Sequence, residues 1–176
     1  TMLKHTGSKV GKSICENDCG SLIKEILDIS KKFNCKITCP IDVVVSKNIE
    51  GVGENKSIKE INDDEMILDI GPKTISLIKK IVNDSNTVLW NGPAGYFENP
   101  NFQTGTKEIL EIISQKTSSD KIFSVAGGGE TVAAINKFNK LDSFTFVSTA
   151  GGAFLEYLEG KTLPGIKALN QNVWIK

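Results

Sequence analysis

The chain has no surplus of either charge, no long apolar run and almost no histidine, and each lack narrows what it can be. Its 21 basic residues balance 21 acidic ones. Without a basic surplus or a basic amphipathic face, nucleic acid and membrane surfaces are poor partners. No apolar stretch approaches the roughly 20 residues that a bilayer-crossing helix needs. No apolar signal-peptide core opens the chain, so the expected location is cytoplasmic. The one histidine, His5, lies in a short helical run and is assigned no catalytic role. Repeats, low-complexity tracts and linkers are absent as well.

Two familiar nucleotide fingerprints are also missing. G-x-G-x-x-G/A fails at Gly127–Val132 because Val132 occupies the last position, which disfavours an NAD-dependent dehydrogenase. No G-x-x-x-x-G-K-[ST] occurs, so the chain is not a P-loop protein. Four cysteines are present, Cys15, Cys19, Cys35 and Cys39, in two C-x3-C pairs. That spacing alone permits zinc. Yet Cys15 and Cys19 flank a helix start, and Cys39 ends a strand just before Pro40, so reduced thiols are expected.

What is present reads as alternating strands and helices. A chain of 176 residues is one ordinary domain or part of a larger one. Thr1-Met2-Leu3-Lys4 reads like the middle of a helix, so the chain is expected to begin inside a domain. Asn17-Asp18 can cap a helix to about Phe33, with Leu22, Ile23, Ile26, Leu27 and Ile29 as its apolar stripe. Lys36–Cys39 predicts a short strand, Ile41–Val45 an extended run and 46–60 a surface loop or hairpin. Strands are predicted at 66–69, 87–90, 121–125 and 144–147 in one mainly parallel sheet. Helices are predicted from Pro72, from Thr104, over Glu130–Phe138 and over Ala150–Glu159. The tail 165–176 reads as loose, with Trp174 its only strong apolar anchor. The class is therefore α/β, with helices on both faces of a Rossmann-like sheet.

Three strand ends break into glycine. Val88-Leu89-Trp90 stops at Asn91-Gly92-Pro93, and the run resumes through Gly95 to Tyr96, Phe97 and Glu98. The second is Gly127-Gly128-Gly129-Glu130-Thr131, and the third Ser148-Thr149-Ala150-Gly151-Gly152-Ala153. Glycines let a backbone approach a phosphate, and the first helical N–H groups favour its charge. In open parallel sheets ligands bind at that edge, so all three turns should lie at one edge and share one phosphate-rich ligand. Alternatives stay open residue by residue. Thr149 is a helix cap or a phosphate donor, and Glu98 a ribose acceptor or a solvated loop residue. Lys4 is a phosphate lysine or a surface lysine.

Together, WNGPAGYFE, GGGET, STAGGA and LEYLEGKTLPGIKAL resemble the carboxyl-terminal domain of phosphoglycerate kinase. ILDIGPKT, TCPIDVVV and TMLKHTGSKVGKS fit the same family, in the right order over nearly the whole chain. The resemblance implies phosphoryl transfer between 1,3-bisphosphoglycerate and ADP, giving 3-phosphoglycerate and Mg-ATP in glycolysis. It implies that residues 1–176 are the nucleotide lobe, lacking its first strands. The amino-terminal lobe, which binds 3-phosphoglycerate, is missing, so the chain alone is expected to be inactive. The parent is expected to be a monomer.

By that resemblance Lys4 contacts nucleotide phosphates. Asn91, Pro93, Gly95, Tyr96 and Glu98 wall the base and ribose, with Glu98 on the ribose hydroxyls. Gly128, Gly129 and Thr131 form the phosphate turn. Glu130 stands where the family usually has a magnesium-binding aspartate. Thr149, Gly151 and Gly152 face the transferring phosphoryl group, with Ala150 where a glycine is usual. A free-standing nucleotide-binding module without catalysis is the other reading.

Overall fold

Punctuation by glycine, proline and aspartate sets where the elements start and stop. The computed structural model describes residues 1–170. In chain order the elements are α1 (Met2–His5), α2 (Gly20–Lys32), β1 (Asp42–Ser46), β2 (Glu54–Ser57), β3 (Met66–Ile70), α3 (Pro72–Asn83), β4 (Thr87–Asn91), α4 (Thr104–Ser118), β5 (Phe123–Gly127), α5 (Gly129–Lys137), β6 (Phe146–Ser148), α6 (Gly152–Leu158) and α7 (Pro164–Asn170). The expected anchor Trp174 lies outside the described residues. The chain divides into two units. One comprises 1–81 with 94–109, the other 82–93 with 110–176. No helix of the described residues is long and apolar enough to cross a membrane.

The first unit is built on a three-stranded sheet ordered β2-β1-β3. Val43, Val45 and Ile61 form its buried cluster, with Ile58 and Ile67 packed against them. Two buried aspartates fasten helices to this sheet. Asp42 of β1 accepts from the Lys73 N–H at 2.9 Å, the Thr74 N–H at 2.7 Å and the Thr74 hydroxyl at 2.6 Å. It thereby caps α3, whose first residue is Pro72, a position where proline's missing N–H costs nothing. Burial pushes the Asp42 carboxyl up, but the bonds from Thr74 and Lys73 outweigh it and hold it below the usual carboxylate range.

Asp69 of β3 plays the corresponding part for α4. It is 1% exposed. It accepts from the Ile70 and Gly105 N–H groups, each at 2.8 Å. Here burial wins over the backbone bonds and pushes the carboxyl up to about 6.

The second unit carries a parallel sheet ordered β4-β5-β6. Its strand ends are in register, Asn91 beside Gly127 and Gly127 beside Ser148. Trp90 and Phe144 stack with ring centroids 6.0 Å apart and planes 18° apart. Leu110 and Ile113 of α4, and Ala134 and Ile135 of α5, are buried in the same unit. The α/β class is as expected, a parallel three-stranded sheet flanked by helices.

Four local expectations are corrected. Met66–Ile70 is a strand but not part of the parallel sheet, because it pairs antiparallel with β1. No helix lies between Ser46 and Met66 to act as the crossover that parallel pairing needs. Lys36–Cys39 forms no strand, since none of its residues finds a ladder partner. Asn17 and Asp18 do not cap α2. Its cap position is Cys19, with no side-chain bond, while Asn17 accepts from the Lys4 ammonium at 3.2 Å. Of the α2 stripe only Ile23 is buried. The 46–60 segment is a hairpin, with β1 and β2 antiparallel. All four cysteines are free, and no group of three metal-ligating side chains occurs among the described residues.

Candidate nucleotide site

Parallel strands in register deliver their chain ends to one edge, and here each end turns on glycine. β4 turns at Gly92 (φ +100°) and β5 at Gly128 (φ +90°), conformations that other residues reach only with strain. Gly128 caps α5 and Gly151 caps α6, in neither case with a side-chain bond to the helix. The three turns border one cavity of about 300 Å³. Asn91, Gly92 and Pro93 line it from β4, and Gly128, Gly129, Glu130 and Thr131 from β5 and α5. Gly151, Gly152 and Leu155 line it from α6. The shared edge read from the sequence is thus present.

The turns are held to one another. The Gly92 N–H donates to the Thr131 hydroxyl at 2.6 Å. A Cβ on Gly128 would lie 2.6 Å from the Asn91 side-chain oxygen. A Cβ on Gly127, at the end of β5, would lie at the same separation from the Phe154 ring. Those glycines serve the fold. Gly129 and Gly152 do not, because a Cβ on either would meet nothing within 4 Å and neither has a positive φ. Both line the cavity.

Glu130 is exposed in the first turn of α5 and, among the described residues, is the one charged side chain lining the cavity. Among the described residues no lysine lines the cavity, so an anion there would be met by backbone N–H groups and by whatever cation accompanies it. Thr149 is exposed between β6 and α6. It does not cap α6, which corrects the capping alternative; the cap position is Gly151, two residues beyond it, and the helix begins at Gly152.

Four expected site residues belong to the other unit. Lys4 sits on α1 beside a cavity of about 650 Å³ that it shares with Glu16, Asn17 and Asp18. Two carboxylates there give that cavity no preference for an anion. Gly95 has no room for a Cβ, because the Asp69 carboxylate and the Phe102 carbonyl close on it. The fold alone therefore accounts for glycine at 95. The Tyr96 N–H donates to the Leu68 carbonyl at 2.8 Å, and the Ala94 N–H to the Thr106 hydroxyl at 3.1 Å. Tyr96 and Glu98 are exposed.

Sequence reasoning missed Leu155 and Asp69. Leu155 lies three residues beyond Gly152, on the same helical face, and that spacing was the signal available for it. Asp69 interrupts the apolar run Met66–Ile70, and a carboxylate inside such a strand announces a buried partner.

The family model for phosphoglycerate kinase matches residues 1–161. A phosphoglycerate kinase from Xanthobacter autotrophicus is 45% identical over 173 residues, covering 97% of this chain and 44% of that protein. The structure of phosphoglycerate kinase from Coxiella burnetii superposes with a TM-score of 0.87 at 38% identity, over 94% of this chain and 42% of that one. The enzyme from Pyrococcus horikoshii gives a TM-score of 0.72 at 29% identity, over 96% and 42% respectively. The chain thus spans less than half the length of the relatives it matches, and over that length it belongs to the phosphoglycerate kinase family.

Proposed function

We propose that residues 1–176 are the nucleotide-binding half of a phosphoglycerate kinase, incomplete at the sheet and without the lobe that takes 3-phosphoglycerate. The parent catalyses reversible transfer between ATP and the 3-phosphoglycerate carboxylate in cytoplasmic glycolysis. The observation that carries the reading is the pair Gly129 and Gly152. The fold leaves both bare beside a cavity at the carboxyl edge of a parallel sheet. Bare backbone at that edge suits a phosphate chain.

Each residue then has a task. Gly128 and Gly129 present the first N–H groups of α5 to the phosphates. Gly151 and Gly152, with Thr149, face the phosphoryl group in transfer. Asn91 and Pro93 bound the nucleotide, and Gly95, Tyr96 and Glu98 continue that wall, with Glu98 accepting the ribose hydroxyls. Lys4 adds positive charge at the phosphates. Phosphoryl transfer asks for positioning and charge neutralisation more than for a general base, so the lack of a histidine or cysteine nucleophile is no obstacle.

Magnesium fits as an ion carried by the nucleotide. Mg²⁺ usually takes one or two carboxylates together with substrate phosphates rather than an all-protein cage. Glu130 supplies one carboxylate, and no three-ligand cage exists among the described residues. Glu130 would hold the ion, and the ion's charge would offset the repulsion between that carboxylate and the phosphates. When bound, that ion neutralises charge on the transferring group.

Calorimetric titration with Mg-ADP tests the binding half of the reading, and the absence of saturable heat at millimolar nucleotide refutes it. A coupled assay tests the rest. This chain alone should not phosphorylate 3-phosphoglycerate at a useful rate, since one lobe cannot align two substrates or close over them.

A further inference from the structure

We propose that the buried start of α4 is the mount of segment 94–98, with Asp69 and Thr106 as positioning residues on which recognition of the nucleoside, and not of the phosphates, depends. The inference rests on the reading of Gly95, Tyr96 and Glu98 as the ribose wall. Mount and segment lie in the first unit, whereas the glycine turns at Gly128 and Gly151 lie in the second. Thr106 is the third residue of α4 and is 0% exposed. Its hydroxyl oxygen accepts from the Ala94 N–H at 3.1 Å and from the Gly95 N–H at 3.3 Å.

The segment needs such a fixture. The ladder of β4 ends at Asn91, so the amides of Ala94 and Gly95 have no strand to pair with. A hydroxyl with two lone pairs can take both. The next amide, of Tyr96, goes to the Leu68 carbonyl of β3 at 2.8 Å. Asp69 follows Leu68, and its buried carboxylate is wedged between two glycines. A Cβ on either Gly95 or Gly105 would collide with the same carboxylate oxygen, Oδ1. That oxygen accepts from the Ile70 N–H and Oδ2 from the Gly105 N–H, each at 2.8 Å. Asp69 thus ties β3 to the first turn of α4, one residue before Thr106, and sets how closely Gly95 approaches. Tyr96 and Glu98, one and three residues beyond Gly95, are exposed. A loosened mount should displace those two side chains and leave the second unit's turns as they are.

Thr106→Val removes the acceptor at nearly constant volume, and Thr106→Ser keeps it. Loss of one such hydrogen bond weakens binding by about two- to tenfold. Calorimetric titrations with Mg-ADP and with Mg-pyrophosphate, which has no ribose, read the effect. Thr106→Val should lose that factor against Mg-ADP alone, and Thr106→Ser should recover it. Asp69→Asn turns an amino group towards the Ile70 or the Gly105 amide, and should change the ratio of the two affinities in the same direction. Equal losses against both ligands mark a general loosening of the fold and overturn the proposal, as does an unchanged ratio in either variant. Hydrogen exchange at Ala94 and Gly95 reads the mount without any ligand. Both amides should be protected in the wild-type chain and in Thr106→Ser, and lose protection in Thr106→Val. Unprotected amides in the wild-type chain overturn the proposal whatever the variants do. If the wild-type chain binds neither ligand, the nucleotide reading falls, and the two amides still decide whether Thr106 holds the segment.

Discussion

Changing the pH across the acid range should expose the charge that β3 buries. Asp69 is 1% exposed. Burial raises its carboxyl from the ordinary 3.8 to about 6, against the pull of the Gly105, Ile70 and Thr104 amides. A raised pKa means that the native state holds its proton more tightly than the unfolded chain does. The stabilisation is therefore complete below 3.8 and is lost as pH climbs through about 6. At about 1.4 kcal/mol for each pH unit between the two values, the span is worth at most about 3 kcal/mol. Asp42 works in the opposite sense, with stability that is lost on acidification, so the raw pH profile of the chain mixes the two.

The comparison with Asp69→Asn removes that mixture, because Asp42 is common to both proteins. Urea unfolding followed by far-ultraviolet circular dichroism between pH 4 and 7.5 gives the difference in stability. Wild type should gain about 2–3 kcal/mol relative to Asp69→Asn on going from the upper to the lower pH. The carboxyl carbon of Asp69 should titrate near 6 in a ¹³C spectrum. Parallel stability profiles, or a ¹³C midpoint at an ordinary aspartate value, would refute the reasoning that burial outweighs the amide bonds.

Three further outcomes follow from the geometry. Gly129→Ala meets open space and should leave the melting temperature unchanged while Mg-ADP affinity falls, whereas Gly128→Ala meets the Asn91 oxygen at positive φ and should lower the melting temperature by several degrees. Equal melting temperatures for the two would contradict this. Glu98→Ala and Lys4→Ala should each weaken Mg-ADP by roughly 1–3 kcal/mol in calorimetry, as hydrogen bonds to charged groups do; unchanged isotherms remove them from the site. Phe102→Ala empties a site that is 0% exposed in the first unit and should cost about 3–5 kcal/mol in urea unfolding.

What the sequence revealed of the fold depended on punctuation. β4, β5 and β6 each run out into a glycine turn, at Gly92, Gly128 and Gly151, and those breaks located both the strands and the shared edge. Ile67, Leu68 and Ile70 were as plainly strand-forming, yet four apolar residues in a strand of five do not name its neighbour. Pairing with β1 is decided by the absent crossover, a property of the 19 residues between Ser46 and Met66 rather than of the strand. Leu22, Ile26 and Ile29 show the limit of periodicity. Their spacing is helical and the helix forms, but what lies against it cannot be read from α2 itself. In the site, the glycines were visible as a group. Their separate reasons were not, because Gly95 answers to Asp69, 26 residues away in sequence, and Gly127 to Phe154. The same holds for Thr131, whose partner Gly92 lies 39 residues earlier.

The seat of Phe154 on Gly127 has a spectroscopic consequence. An aromatic ring circulates charge in a magnetic field, and the α-protons of a glycine pressed against it resonate away from where an unshielded glycine's do. Gly127 ends the middle strand, and Phe154 sits in α6 between Gly152 and Leu155, two residues on the rim of the cavity. A ligand that shifts α6 should therefore move the Gly127 α-proton resonances. The molecule thus carries its own occupancy gauge, readable in an unlabelled aromatic and a single glycine.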